Sequence, residues 1–325
     1  MAAKYNVYGI GNALVDLEFE VNDSFLEEMK IEKGLMTLVE EERQEELLKH
    51  LKNPNKACGG SAANSMIAVK QFGGSSFYSC RVANDDYGKF YAEDLSGNGI
   101  GNNLSAKLSD GITGKCLVLV TPDAQRTMNT FLGTTADYSE KELDKTALED
   151  SEYLYIEGYL VASPTGKEAA IQARKWAEEK GVKTSLTLSD PNMVTFFKDG
   201  MKEIIGDKVD LLFANEVEAC SFTDQGDVET SFEKMKDYAK TFVITRGAHG
   251  AVLWDGQKMI KINAPEIKAV DSNGAGDMFA GAFLSQICQG KSFEDAGNLA
   301  CKAASQVVAK FGPRLELDQA KEIIG

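Results

Sequence analysis

In the stretch AVDSNGAGDMFAGAFLSQI, Ala269 to Ile287, small residues separate two aspartates, Asp271 and Asp277, and lead into an apolar helix. Small side chains let backbone N–H groups come close to a ligand, and a helix start adds roughly half a positive charge aimed at the same point. Asn273, Gly274, Ala275 and Gly276 therefore make a candidate anion hole, with Asp277 in the first turn beside it. That pairing suits phosphorylation of a hydroxyl, where the migrating phosphoryl group spreads charge over its oxygens and the attacking alcohol loses a proton. A carboxylate with a pKa near about 3.9 is a weak base for an alcohol. In a loose transition state the proton leaves late, so positioning outweighs basicity. A plainer role stays open at this point: Asp277 complementing the helix dipole, and Gly274 and Gly276 turning the chain.

The surrounding pattern predicts the elements that must hold such a loop. YNVYGIG reads as a buried strand, and LEFEV alternates Leu17, Phe19 and Val21 with Glu18 and Glu20, the period of a half-exposed strand. GLMTLV is strand-like, EEERQEELLKHLK helical, and GKCLVLV and RTMNTFL flank a turn at Pro122-Asp123 as a hairpin would. These pieces, from about 13–40 and 112–133, are expected to form a small β-sheet lid. From about Asp150 strands alternate with helices, as in right-handed βαβ units on a parallel sheet. IKAV before the small-residue loop looks like a further strand, GAVLWDGQKMIKI like a hairpin, and Ser292 with Asp295 like a helix cap. One domain spanning 1–325 is expected, since neither a repeat nor a low-complexity linker divides the chain.

Composition sets limits. The 325 residues, 43% hydrophobic, can bury a large core, and 50 acidic against 35 basic residues give a net charge of −15. That field repels phosphate backbones and anionic membranes, so neither nucleic acid nor a membrane is an expected partner. A small anionic ligand stays compatible, because a local cradle of amides outweighs a diffuse field beyond a Debye length. The six cysteines form no C-x-x-C pair, and no apolar run reaches spanning length, so a reducing, cytoplasmic setting is expected.

Other signatures fail. GIGNAL carries Leu14 where a dinucleotide fingerprint needs its third small residue, and SQICQGKS carries Ser285 where a P-loop needs its first glycine. The two histidines, His50 and His249, support neither a zinc hydrolase nor a Ser-His triad.

DSNGAGD resembles the D-T-x-G-A-G-D signature of the ribokinase-like (phosphofructokinase-B) carbohydrate kinases, with Ser272 keeping the threonine hydroxyl. CGGSAANSM resembles that family's G-G-x-x-x-N element, RVANDDYG its G-x-V-G-x-D-x-x-G segment with Ala83 for a glycine, and NEVE its N-x-x-E. GNALVD and FANEVEACSF look most like the adenosine kinases of the family. Sugar kinases often carry D-x-N-x-R, whereas DPNMV has Val194 at the arginine position. The resemblance covers nearly the whole chain.

It implies an α/β three-layer sandwich and Mg·ATP-dependent transfer to a primary hydroxyl of a ribose-bearing acceptor, adenosine before a free sugar. Asp277 would be the base, with Asn273, Gly274, Ala275 and Gly276 holding the phosphoryl group; Asn12, Asp16, Gly59, Gly60 and Asn64 would bind the acceptor. Asn215 and Glu218 would organise Mg²⁺ and phosphate, the metal through water, although a first-turn glutamate also simply suits a helix start. Thr245, Arg246, Gly247 and Gly276 would line the nucleotide. Arg126 could swing onto phosphate or stay solvated, and Asp190 could face ligand or merely turn the chain into Pro191. K⁺ near Asp271 and the Phe311-Gly312 loop would fit many relatives. Leu14 and Met36 could touch a base from the lid or pack in a sheet. A nicotinamide-dependent oxidoreductase and a non-catalytic nucleoside sensor are the readings from other classes, and a monomer and a homodimer are equally compatible with the sequence.

Overall fold

Along Ser151–Glu157, Tyr153 and Tyr155 face one apolar core while Leu154 and Ile156 face another. Leu211 and Phe213 alternate with Leu212 and Ala214 in the same way along Val209–Asn215. Strands buried on both faces need helices on both sides, and this computed structural model has them. It describes residues 3–105, 108–123 and 125–324. Ala124, in the expected hairpin turn, lies outside them.

The large sheet has nine strands in the order 259–262, 251–254, 239–245, 209–215, 183–187, 151–157, 5–10, 76–79 and 101–102. All neighbours from 239–245 to 101–102 pair in parallel, and the hairpin 251–254/259–262 closes the other edge antiparallel. One face carries the helices Ser61–Gln71, Ala275–Cys288 and Phe293–Val308; the other carries Pro164–Lys180, Pro191–Ile205 and the helices that follow the 209–215 strand. This is the expected three-layer α/β sandwich.

A second sheet of five strands has the order 36–38, 126–133, 113–120, 14–20 and 55–59. Its inner side chains Val15, Leu17, Leu117 and Leu119 join the first core. Asn55–Gly59, a polar and glycine-ended strand, is an addition to the pieces read from sequence; it forms by pairing antiparallel with Leu14–Glu20. IKAV is not a strand. Ile267 and Val270 are exposed, and the amides of Val270 and Asp271 bond to the carbonyl of Val308 at a helix end rather than to a neighbouring strand.

Among the described residues no helix is long and apolar enough to cross a membrane. All six cysteines are free thiols.

Candidate active site

The strand order reverses on either side of Tyr5–Ile10, which pairs with both 76–79 and 151–157. In open α/β sheets ligands bind beyond the carboxyl ends of the strands near such a point. Asn12, Glu157, Thr187, Asn215 and Thr245 all lie just at or beyond strand ends, and all line one cleft of about 410 Å³. The small sheet forms its opposite wall with Leu14, Asp16, Met36, Leu38, Val118, Met128 and Leu132. The volume falls in the usual range of small-molecule sites.

The loop Asn273–Gly276 closes one end of the cleft. Gly274 caps the Ala275–Cys288 helix with φ of 73°, and a Cβ there would lie 2.3 Å from Pro313. Only glycine fits. Gly276 and Asp277 are in the first turn, where amides have no acceptor one turn back. Asn273, Gly274, Gly276 and Asp277 line the cleft; Ala275 does not.

Asp277 is held at both oxygens, Oδ1 accepting from Ser61 Oγ at 2.6 Å and Oδ2 from Asn64 Nδ2 at 3.0 Å. Burial pushes its carboxyl up to about 6, against the pull of those two donors and of Arg314. Asp16, on the opposite wall, is pushed up to about 7, again by burial; Arg314 and Arg126 oppose the shift and Glu18 adds to it. Gly59 stands behind Asp16, where a Cβ would sit 2.5 Å from the carboxylate, and Gly60 lines the cleft at the start of the Ser61–Gln71 helix.

Three contributors escaped the sequence reading. Glu157, 1% exposed, accepts from the amide and Nδ2 of Asn12, both at 3.1 Å, and from the amide of Ala62 at 2.8 Å. Burial raises its carboxyl to about 7 despite those donors, with Asp277 adding to the rise. A lone acid inside the apolar run YLYIEGYL was its signal. Ser61 directly follows the two glycines, and Arg314 follows Phe311-Gly312-Pro313; neither position has a pattern of its own.

Asn215 and Glu218 form a reciprocal capping box. Glu218 Oε2 accepts from the Asn215 amide at 2.9 Å, Oε1 from its Nδ2 at 2.6 Å, and the Glu218 amide donates to Asn215 Oδ1 at 2.8 Å. Both residues also line the cleft. Burial raises Glu218 to about 7, the Asn215 amide lowers it, and Asp190 raises it further. Asp190 caps the Pro191–Ile205 helix through the Asn192 amide and lines the cleft, so the two readings of it coexist.

Several expected residues stand off the cleft wall. Arg246 pairs with Glu216 at 3.4 Å, while Gly247 and His249 form a turn beyond Thr245. Arg126 is neither free nor solvated: it pairs with Glu18 at 3.1 Å and with Asp271 at 3.0 Å. Asp271 also accepts from the amides of Asn273 and Gly312, at 3.0 and 3.1 Å. The guanidinium and two amides thus share this carboxylate, two donors on Oδ2 and one on Oδ1.

The model of the pfkB family carbohydrate kinases matches residues 31–320. The chain belongs to that family. As a pfkB-family kinase it is a phosphotransferase with an alcohol acceptor. It is 33% identical to the structure of adenosine kinase from Sinorhizobium meliloti, with a TM-score of 0.91, covering 99% of this chain and 100% of that one. A probable sugar kinase from Rhizobium etli CFN 42 is also 33% identical, with a TM-score of 0.90 and 98% of each chain covered. Adenosine kinase 1 of Arabidopsis thaliana is 29% identical over 330 residues, 94% of each chain. The kinase fold expected from the motifs is the fold it shares with these proteins.

Proposed function

We propose that this kinase transfers the terminal phosphoryl group of Mg·ATP to a primary hydroxyl of a ribose-bearing acceptor, with adenosine the first candidate. The observation that carries the reading is the arrangement of one cleft: Asp277 and the Asn273–Gly276 loop at one end, and Asp16 on a mostly apolar wall that includes Leu14, Met36, Leu38, Val118, Met128 and Leu132 beside Cys116 and Thr130. A carboxylate can take two hydroxyls of a ribose diol, and the apolar side chains around it suit the flat face of a base far better than a polyol. The similarity to adenosine kinases supports the same choice.

In this reading Asn12, Asp16, Gly60 and Asn64 hold the acceptor sugar, with Gly59 giving Asp16 its room. Asp277 accepts the proton from the attacking hydroxyl while the amides at the start of the Ala275–Cys288 helix stabilise charge on the moving group. Thr245 and Asn215, with the Arg246-Gly247 turn behind them, receive the nucleotide. Among the described residues no three acidic, histidine or cysteine side chains gather as a metal cage. Magnesium bound mainly by phosphates and water fits this, with Glu218 and Asp190 as the acids facing it. The metal's contribution when bound is to neutralise phosphate charge. Closure of the small sheet over the cleft would exclude water and protect ATP from hydrolysis.

A sugar kinase is the second reading, favoured by the similarity to the Rhizobium etli protein. An ADP-release assay across nucleosides and sugars, repeated with Asp277→Asn, separates the two. Turnover of ribose or fructose but not adenosine would overturn the nucleoside reading, and undiminished turnover in the variant would overturn the role of Asp277.

A further inference from the structure

Asn64 presents an amide whose two ends do opposite things, and at Asp277 only the donating end is useful. Nδ2 lies 3.0 Å from Asp277 Oδ2, and Oδ1 lies 2.9 Å from Arg314 Nε. A guanidinium nitrogen can only donate, so the oxygen of Asn64 must face Arg314 and its nitrogen must face Asp277. The reverse orientation would set an amide oxygen against a carboxylate oxygen and an amide nitrogen against a guanidinium.

Arg314 is itself fixed from two further directions. Nη1 donates to Asp94 Oδ2 at 2.9 Å, and Nη2 donates to the carbonyl of Cys58. Its three partners belong to three elements, the Ser61–Gln71 helix, the Asp86–Gly97 helix and the Asn55–Gly59 strand. A planar fork can serve all three at once; a lysine ammonium cannot. The segment that delivers it also braces the anion loop, through Pro313 against Gly274 and the Gly312 amide on Asp271.

We propose that Arg314 is a positioning residue for phosphoryl transfer: it sets the Asn64 amide so that Asp277 is kept as a hydrogen-bond acceptor, ready to take the proton of the acceptor hydroxyl. This rests on the proposed role of Asp277 as base. The groups facing Asp277 are Ser61 and Asn64 from the helix beside it, Glu157 and Tyr155 from the central sheet, Tyr159 from the turn that follows Glu157, and Arg314 from the C-terminal segment. Loss of the Nε contact frees Asn64 to turn, and a carboxyl facing an amide oxygen favours its protonated form.

The test uses the full chain with Arg314→Lys, which keeps a positive charge, and Arg314→Met, which does not, each checked for folding by circular dichroism. The Asp277 carboxyl is titrated by ¹³C NMR of aspartate-labelled protein, assigned through Asp277→Asn, and kcat is followed against pH with the best acceptor found. The expected result for both variants is an upward shift of the Asp277 titration by at least about half a pH unit, a matching shift of the acid limb of kcat, and a KM for ATP changed less than about threefold. Arg314→Lys carries the test alone if Arg314→Met does not fold. A folded variant whose Asp277 titrates as in the wild type would overturn the proposal, whichever acceptor the enzyme uses. If the Asp277 titration moves but kcat does not follow it, the positioning contact stands and the base assignment falls.

Discussion

Arg126 of the small sheet and Asp271 of the loop leading to Asp277 form an ion pair at 3.0 Å, with their side chains 13% and 8% exposed. The pair therefore fastens the small-sheet side of the cleft to the end where phosphate is proposed to sit. Buried pairs are costly to break from one side, because the remaining charge stays desolvated. Arg126→Met should lower unfolding free energy by on the order of 3 kcal/mol. Urea denaturation checks this, and an unchanged midpoint at unchanged slope would show that Asp271 is satisfied by the Asn273 and Gly312 amides alone.

Asp277→Asn keeps the shape of the site and should still accept the Ser61 hydroxyl at its oxygen. Removing a positioned base is expected to lower kcat by about 10² to 10⁴-fold with little change in the KM for ATP. Steady-state kinetics at saturating acceptor measures it.

The pH dependence of activity follows from the Asp277 carboxyl, raised to about 6 by burial in the free enzyme. The acid limb of kcat/KM should carry this group beside Asp16 and Glu218, both raised to about 7, and Asp277→Asn should make that limb less steep. A limb near 4 in the wild type would mean that the base is a different, solvent-exposed group.

Stability should follow pH in an unusual direction. Asp16, Glu157 and Glu218 are raised to about 7 and Asp277 to about 6, all above their unfolded values, so the native state binds more protons than the unfolded state between about pH 4 and 7. Each contributes stability that is present below the unfolded pKa and lost as pH rises through the folded one. Asp85 and Asp210 are lowered in the fold by hydrogen bonds, and act in the opposite sense only at lower pH. Thermal melts of the ligand-free protein should therefore show a higher midpoint at pH 5.5 than at pH 7.5. Saturating Mg·ATP should narrow the gap by favouring the charged form of Glu218.

Met36 is 37% exposed at the mouth of the cleft, so Met36→Ser should leave folding intact. Losing about 1 kcal/mol of apolar contact with a base predicts a KM for adenosine roughly fivefold higher, with no effect on any residual turnover of ribose. Equal effects on both substrates would place Met36 in sheet packing rather than base recognition.

Much of this was legible in order along the chain. The alternation of apolar runs with helical stretches from about Asp150 marked the large sheet, and Asn273 to Asp277 stood out because small residues before an apolar helix can let amides reach a ligand. The N-x-x-E pair was legible as a site and, less visibly, as a local cap, since Asn215 and Glu218 satisfy each other within one helical turn. What stayed hidden depends on contacts distant in sequence. Arg314 meets Asn64 across 250 positions, and Glu157 meets Asn12 across 145. Asn55–Gly59 lacks the alternation of a strand and owes its form to its neighbour. The IKAV segment misled because its apolar residues lie on the surface, where local composition says nothing about backbone partners.

The wall that is proposed to read the acceptor is stitched from five pieces scattered between Leu14 and Gly133, interleaved with strands of the main sheet. Such a wall cannot be exchanged between relatives as a cassette. Altering substrate preference in this scaffold must proceed by single side chains on a fixed backbone, and a nascent chain cannot complete the wall until more than a third of its length has been synthesised.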